Sequence, residues 1–177
     1  MSSAYSLKKP FTLRVEGRAI HLSEQGEKMP KRDLPGVGWR EWVSLPQLGI
    51  DHIKAKVDTG ARTSALHAFS VKPYRERGSL HVRFAVHPMQ KRQKPVAECF
   101  AEVSDFRWVS DSGGHREQRF VIVTPVRVGG FEWPIEMTLT HRDTMQFRML
   151  LGRTALKGRF VVHPGSSYLI GRPPEPT

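Results

Sequence analysis

Apolar and polar side chains alternate along much of this sequence, and this alternation restricts the fold more than any other feature. In FEWPIEMTLT, residues 131–140, every second side chain from Phe131 to Leu139 is apolar, and the residues between them are Glu, Pro or Thr. Similar runs occur in WREWVSLPQL, HIKAKVDTG, HVRFAV, AECFAEV and RFVIVTPVRV. A period of two residues is typical of strands that bury one face. Many short strands in succession predict an all-β fold, either an antiparallel barrel or a sandwich.

Only two stretches resemble helices, and both are short. They are ARTSALHA, residues 61–68, and RTALKG, residues 153–158. Between the first two strands, LGID at residues 48–51 is expected to form a hairpin turn. The prediction is therefore a β domain with one or two short helices.

Composition divides the chain of 177 residues into one core and two looser ends. Residues 1–38 include the charged, Pro- and Gly-containing stretch EQGEKMPKRDLPGVG and are expected to form a flexible or irregular arm. The folded domain is expected over residues 39–170. The Pro-rich end GRPPEPT, residues 171–177, is expected to be a disordered tail.

Charge and cysteine content limit the partners and the compartment. The 28 Lys and Arg residues against 17 Asp and Glu residues give a formal net charge of +11, which favours polyanionic partners but is also compatible with a generally basic surface. Cys99 is the single cysteine, so a disulfide framework is excluded and the thiol is expected to be buried in the core. The sequence contains no apolar run long enough to span a membrane and no secretory signal, which predicts a cytoplasmic protein.

The sequence contains one candidate catalytic motif, Val-Asp-Thr-Gly-Ala at residues 57–61. In aspartic peptidases, two carboxylates about 3 Å apart share one proton, and one of them activates a water molecule. Asp58 follows a strand whose residues Ile53, Ala55 and Val57 form an apolar face. Gly60 would allow a close backbone approach and a φ that a Cβ forbids. By itself, however, Asp before Gly is also ordinary turn chemistry.

A second motif, FRMLLGRTAL at residues 147–156, makes the first one specific. An apolar strand that ends in Gly-Arg and a short helix, paired with the upstream Val-Asp-Thr-Gly-Ala, resembles the retropepsin-like aspartic peptidases. The longer stretches LPQLGIDHIKAKVDTGARTSALHA and TLTHRDTMQFRMLLGRTAL resemble the ATP-dependent zinc protease family, whose members occur beside RimK, a glutamate ligase that modifies a ribosomal protein. The resemblance runs from about Glu41 to Tyr168 and implies a retropepsin-like closed barrel.

The resemblance implies a role for particular residues. Asp58 would be the catalytic aspartate, Thr59 and Gly60 would form its loop, and Gly152 would pack beneath that loop. Retropepsins take one aspartate from each of two chains, so this chain would act as a homodimer. They also cover the cleft with a hairpin, for which SDSGGHRE at residues 110–117 is the candidate, although an ordinary solvated turn explains the same residues.

Departures from the retropepsin pattern indicate the substrate. Lys56 stands where retropepsins have an apolar residue, and Arg62 stands where they have an aspartate that pairs with the arginine corresponding to Arg153. Two cations at the cleft favour an acidic, glutamate-rich peptide as substrate, whereas a solvated Lys56 is the alternative. The expected substrate-binding residues are Lys56, Ala61, Arg62, Gly113, Gly114 and Arg153.

The sequence supports no cofactor, despite the zinc and ATP in that family's label. Zinc-peptidase spacing of the His-Glu-x-x-His kind and a phosphate-binding glycine loop are both missing from the sequence. We therefore expect an aspartic-type peptidase without a bound metal, connected with ribosomal protein modification. The alternatives are a non-catalytic binding module for acidic or ribosomal partners and a histidine-based metal-dependent hydrolase.

Overall fold

The computed structural model describes residues 12–15, 18–21, 34–90, 92–110, 113–141 and 146–171. Strands dominate these residues, as the alternation predicts. The strands are β1 (Thr12–Val15), β2 (Arg18–His21), β3 (Gly36–Gly38), β4 (Arg40–Leu45), β5 (Ile50–Asp58), β6 (Ser64–His67), β7 (Phe69–Glu76), β8 (Ser79–Val86), β9 (Ala97–Ser110), β10 (Arg116–Val128), β11 (Phe131–Thr140), β12 (Met149–Gly152) and β13 (Val161–His163). The described helices are α1 (Arg153–Leu156) and the 3-10 turn Pro46–Leu48. None of the helices in these ranges is long and apolar enough to cross a membrane.

Nine strands form one sheet in the order β11-β6-β12-β5-β4-β10-β9-β8-β7. Because β10 also pairs with β11, six of these strands close into a ring. β9, β8 and β7 continue beyond β10 as antiparallel neighbours. The all-β class is thus confirmed, and the expected closed barrel is present as a ring of six strands within one larger sheet.

The alternating residues point where the period of two predicts. In β4, Glu41, Val43 and Leu45 are buried and the residues between them are half-buried. In β5, Ile53, Ala55 and Val57 are buried and enter the main core. Cys99 is buried in the same core, as expected.

The expected helix ARTSALHA is wrong, because Ser64–His67 is the strand β6. All four of its residues are buried, and β6 lies between β11 and β12. A strand covered on both faces loses the period of two and is easily confused with a buried helix. The second expected helix is confirmed as α1. The turn that joins the antiparallel strands β4 and β5 consists of the 3-10 turn Pro46–Leu48 and Gly49 in the left-handed region at φ +66°, so the expected turn LGID overlaps it only at Leu48 and Gly49.

Some of the described residues near the two ends of the chain belong to strands or are hydrogen-bonded to the sheet. Within residues 1–38, the described parts are the strands β1, β2 and β3, and β3 pairs with β13. The buried carboxylate of Glu41 accepts N–H groups from Gly38, Leu169 and Gly171 at 2.7–2.9 Å, which fixes the C-terminal segment to the sheet. Residues 1–11, 16–17, 22–33 and 172–177 lie outside the described residues, so the predicted domain boundaries stay predictions.

Candidate functional site

Asp58 is the last residue of β5, and its carboxylate folds back onto the turn that follows. Asp58 Oδ1 accepts the backbone N–H groups of Gly60 at 3.1 Å and Ala61 at 3.0 Å. Among the described residues, no donor contacts the other oxygen, Oδ2. The carboxylate is therefore held by one oxygen and offers the other to a ligand.

The loop after Asp58 is fastened to the start of α1 by backbone hydrogen bonds. Gly152 lies opposite Asp58 where β12 runs parallel to β5. The N–H of Arg153 donates to the Ala61 carbonyl at 2.8 Å, and the N–H of Thr154 donates to the Arg62 carbonyl at 3.0 Å. Hydrogen bonds of this kind fix the position of Asp58 without depending on any exposed side chain.

Two glycines are needed at this junction because space is short. A Cβ on Gly152 would lie 2.5 Å from the carbonyl carbon of Thr63, and its N–H donates to Ser64 Oγ at 3.0 Å. Gly60 is not among the residues with positive φ, so that part of its expected role is wrong. A Cβ on Gly60 would instead lie 3.3 Å from Asp58 Oδ1, which leaves the close approach as its reason.

Asp58 opens onto a cleft of about 700 Å³ between the loop and the β9–β10 hairpin. The cleft is lined by Asp58, Gly60, Ala61, Arg62, Thr63, Ala65, Arg107, Trp108, Val109, Ser110, Arg119, Thr138, Thr140 and Leu150. Among these described lining residues, Asp58 is the sole carboxylate. The cleft therefore combines one acid with three arginines.

The floor of the cleft is a row of neighbouring residues on adjacent strands. Thr138 pairs with Ala65, Ala65 with Leu150, and Leu150 with Lys56. Paired residues in a sheet point to the same face, so Lys56 leaves β5 on the side of the cleft floor. The next member of the row, Arg40 on β4, adds a further cation beyond Lys56.

The structure brings together some of the residues predicted from the sequence and separates others. Ala61 and Arg62 line the cleft, whereas Lys56 is exposed at the margin of its floor. Gly113 and Gly114 are exposed at the far end of the β9–β10 hairpin, where Gly114 has φ +80°. Their roles in substrate binding stay predictions.

In retropepsins, the arginine that corresponds to Arg153 pairs with an aspartate, and Arg62 stands at the position of that aspartate here. Arg153 forms a hydrogen bond with the backbone instead. Its Nη1 donates to the carbonyl oxygen of Thr59 at 3.1 Å, so this side chain braces the loop beside Asp58. Thr59 itself is exposed.

Sequence reasoning missed two arginines of the cleft wall, Arg107 on β9 and Arg119 on β10, which are cross-strand partners. Arg107 donates to Glu136 at 2.7 Å, to Asp105 at 3.0 Å and to Thr63 Oγ1 at 3.3 Å. The hydrogen bond to Glu136 is the main reason why the pKa of the Arg107 guanidinium lies above its ordinary value. The cross-strand register that places both arginines in the wall of the Asp58 cleft gives no local signal in the sequence.

Arg119 differs from Arg107 in burial and in its number of partners. Its side chain is 8% exposed, and its Nε donates to Glu117 at 2.6 Å. Thr140 Oγ1 donates to the same Glu117 oxygen at 3.0 Å. Arg119 is therefore a buried, oriented cation in the wall of the cleft.

A histidine-based metal site was one of the alternatives predicted from the sequence. Within the described ranges, no group of three or more His, Cys, Asp or Glu residues is placed to hold a metal ion. His67 and His141 approach each other with ring centroids 5.9 Å apart. Two imidazoles without a third such ligand nearby do not match the donor set of a protein zinc site.

Comparison with known proteins gives one family and several relatives. The model of the RimB-like family, described as retropepsin-like aspartic endopeptidase RimB, matches residues 36–173. Proteins named probable alpha-L-glutamate ligase are 42% identical over 136 residues in Shewanella halifaxensis and 45% identical over 135 residues in Parasynechococcus marenigrum. These matches cover 77% and 76% of this chain but only 30% and 29% of those relatives, so the chain spans about 30% of their length.

One solved structure supports the fold. A crystal structure of a Legionella pneumophila protein of unknown function matches with a TM-score of 0.64 at 23% sequence identity. The match covers 77% of this chain and 98% of the other. At this identity the likeness concerns the fold alone.

Proposed function

The chain belongs to the RimB-like family of retropepsin-like aspartic endopeptidases, and from that premise we propose that it hydrolyses peptide bonds with Asp58. The observation that carries the proposal is the Asp58 carboxylate itself. It is held through Oδ1 by two backbone N–H groups and opens onto a cleft large enough for a peptide segment. A carboxylate fixed in this way can orient a water molecule toward a bound carbonyl group.

The reaction requires a second carboxylate, which we assign to a second copy of the chain. Asp58 is the sole carboxylate among the described lining residues, so one copy supplies half of the proton-sharing pair. In a homodimer, one Asp58 takes a proton from the attacking water and the other donates a proton to the carbonyl oxygen of the scissile bond. The hydroxyl of Thr59 is exposed next to Asp58 and available to the partner loop.

We further propose that the substrate is an acidic, glutamate-rich peptide. Arg62, Arg107 and Arg119 line the cleft, and Lys56 stands beside its floor. The formal net charge of +11 adds long-range attraction for an acidic chain. Relatives of this chain are named probable alpha-L-glutamate ligase, which supports a substrate that contains glutamate.

If the glutamate-rich substrate is part of a ribosomal protein, the activity belongs to ribosomal protein modification in the cytoplasm.

A peptide assay tests the acidic preference directly. Lys56→Leu and Arg62→Asp variants should each lower kcat/KM for an acidic peptide and leave the value for a neutral peptide nearly unchanged. Equal wild-type activity on both peptides would contradict the preference.

Asp58→Asn tests the catalytic assignment. This near-isosteric change removes the ionisable group, and we expect cleavage of a glutamate-rich peptide to fall at least about a thousandfold, since removing one member of a catalytic unit has effects of this size. The circular dichroism spectrum and the melting temperature should stay close to those of the wild type. A wild-type protein that binds the peptide as tightly as the variant, yet cleaves none of it, would instead support the binding-module alternative.

A further inference from the structure

Arg119 has a hydrogen-bonding capacity that the fold does not use. Guanidinium carries five N–H donors in a planar fork. One of them, on Nε, is engaged by Glu117. Among the described residues, no acceptor lies within hydrogen-bond distance of Arg119 Nη1 or Nη2. Neither atom belongs to the buried polar atoms that lack a partner, so both keep contact with the solvent in the cleft.

Arg107 shows by contrast what a structural arginine in this wall looks like. Both of its terminal nitrogens have acceptors, on Asp105, Glu136 and Thr63, and two of these acceptors are carboxylates. Those contacts neutralise Arg107 and join the hairpin to β11 and to the Asp58 loop. Arg119 has one carboxylate partner, and that partner contacts the side of the guanidinium rather than its end.

The surroundings of Arg119 fix its direction and leave room in front of it. Glu117 receives a second hydrogen bond from Thr140, so the carboxylate that orients Arg119 is itself held. Thr138, Thr140 and Ala65, which line the same cleft, are small. These residues and Arg119 line one cleft of about 700 Å³, which has room for a carboxylate side chain of a bound peptide.

We propose that Arg119 binds a side-chain carboxylate of the peptide substrate through its Nη1 and Nη2 atoms. Arg119 would then determine the specificity of the cleft at that substrate position. The inference rests on the proposed peptidase function and names the group that selects its acidic substrate. Two parallel N–H donors match the two oxygens of a carboxylate, and such paired, charge-assisted hydrogen bonds are the strongest kind in proteins. Because the Arg119 side chain is mostly buried and already oriented by Glu117, little ordering is needed when the carboxylate arrives.

The test compares a glutamate-rich synthetic peptide with a series of peptides in which one Glu at a time is replaced by Gln. With wild-type protein, one position should lower kcat/KM by about 10- to 100-fold, the range expected for a hydrogen bond between charged groups. Arg119→Met should remove the preference for Glu at that position alone, so that the Glu and Gln peptides give similar rates. Arg83→Met, which changes an exposed arginine paired with Glu98 on the outer strands, is the matched control and should keep the preference.

Because Arg119 is buried, its Met variant could lose stability, and Arg119→Lys provides a second measurement. Lys keeps the charge and most of the stem but has no paired edge, so we expect it to retain only part of the preference. A folded Arg119→Met or Arg119→Lys protein that discriminates Glu from Gln as well as the wild type at every position overturns the proposal.

A binding experiment separates this inference from the peptidase function. In the Asp58→Asn background, affinity for the same peptides is measured by fluorescence anisotropy, with and without Arg119→Met. If the wild type cleaves nothing but Arg119→Met still removes the Glu preference in binding, the peptidase function fails and the Arg119 site stands. If the wild type cleaves acidic peptides while Arg119→Met leaves the preference in binding and in cleavage unchanged, the Arg119 site fails and the peptidase function stands.

Discussion

The two sides of the cleft are built in different ways. On one side, backbone hydrogen bonds from the start of α1 and the glycine at position 152 hold the Asp58 loop. On the other side, the β9–β10 hairpin presents arginines whose positions depend on ion pairs with neighbouring side chains. The first construction tolerates almost no change in shape, whereas the second can change its side chains while the strands remain. We infer that reaction geometry depends on the backbone of the Asp58 side, whereas substrate choice depends on cationic side chains from both sides, with Arg119 of the hairpin as the most buried of them.

The largest effect is expected at the tight junction. In Gly152→Ala, the new Cβ would lie 2.5 Å from the Thr63 carbonyl carbon and 2.7 Å from the Ser64 nitrogen, both backbone atoms. We expect the free energy of unfolding to fall by about 3 kcal/mol, the upper part of the usual range for overpacking, together with the loss of activity. Urea denaturation measures the change.

Gly165→Ala is the control for that substitution. A Cβ there meets no atom within 4 Å, and the expected change in stability is within about 0.5 kcal/mol. Similar losses in both variants would show that the Gly152 junction is no tighter than an exposed loop.

The next largest loss of stability is expected from a serine substitution on the Asp58 side of the cleft, compared with a serine substitution in the β9–β10 hairpin. Ser64 is buried, and its Oγ accepts the N–H of Gly152, so Ser64→Ala leaves that N–H without a partner. We expect a loss of about 2 kcal/mol in the free energy of unfolding, the usual penalty for an unsatisfied buried donor. Ser104→Ala on β9 removes an exposed hydroxyl that donates to the Val121 carbonyl and should cost about 0.5 kcal/mol. Thermal unfolding of the two variants gives the ratio, and equal losses would remove the distinction between the two sides.

The same distinction explains what the sequence predicts well. Two short motifs could be recognised in the sequence, Asp58 with Gly60 and Gly152 with Arg153. Their local geometry depends on the types of these residues, so the sequence alone indicates it. The alternation in β5 and β11 predicts strands because one face of each is buried. β6 was missed because its four residues are buried on both faces, which removes the alternation.

The hairpin arginines could not be predicted, for a different reason. Arg107 and Arg119 are far from Asp58 in the chain and reach its cleft only through strand pairing. The register between β9 and β10 also shifts between Val121 and Ile122, two residues beyond Arg119. An exposed arginine in a strand has the same appearance in the sequence as one that lines a cleft, so only the three-dimensional structure separates Arg119 from Arg127.

A smaller effect is expected from Arg107, since its partners are exposed carboxylates. Arg107→Met should lower the free energy of unfolding by about 1 kcal/mol, the upper end for surface ion pairs, because three acceptors lose a donor together. Arg127→Met, which breaks one exposed pair with Glu132, is the control and should cost less. Urea denaturation at low and high salt should show the gap between the two variants shrinking as salt rises. A gap that does not respond to salt would mean that Arg107 acts through packing.

The smallest loss of stability is expected from substitution of Arg153. This substitution tests whether the junction is held by backbone hydrogen bonds or by side chains. Arg153→Met removes one exposed hydrogen bond to the Thr59 carbonyl, whereas the Arg153 N–H still donates to Ala61. We expect a loss of about 0.5 kcal/mol in the free energy of unfolding, and Lys157→Met, another exposed cation at the end of α1, is the control. A loss as large as that of Gly152→Ala would show that the loop is held by a side chain after all. A raised KM for an acidic peptide with unchanged stability would instead place Arg153 in contact with substrate. A further residue of the Asp58 side of the cleft would then take part in substrate choice.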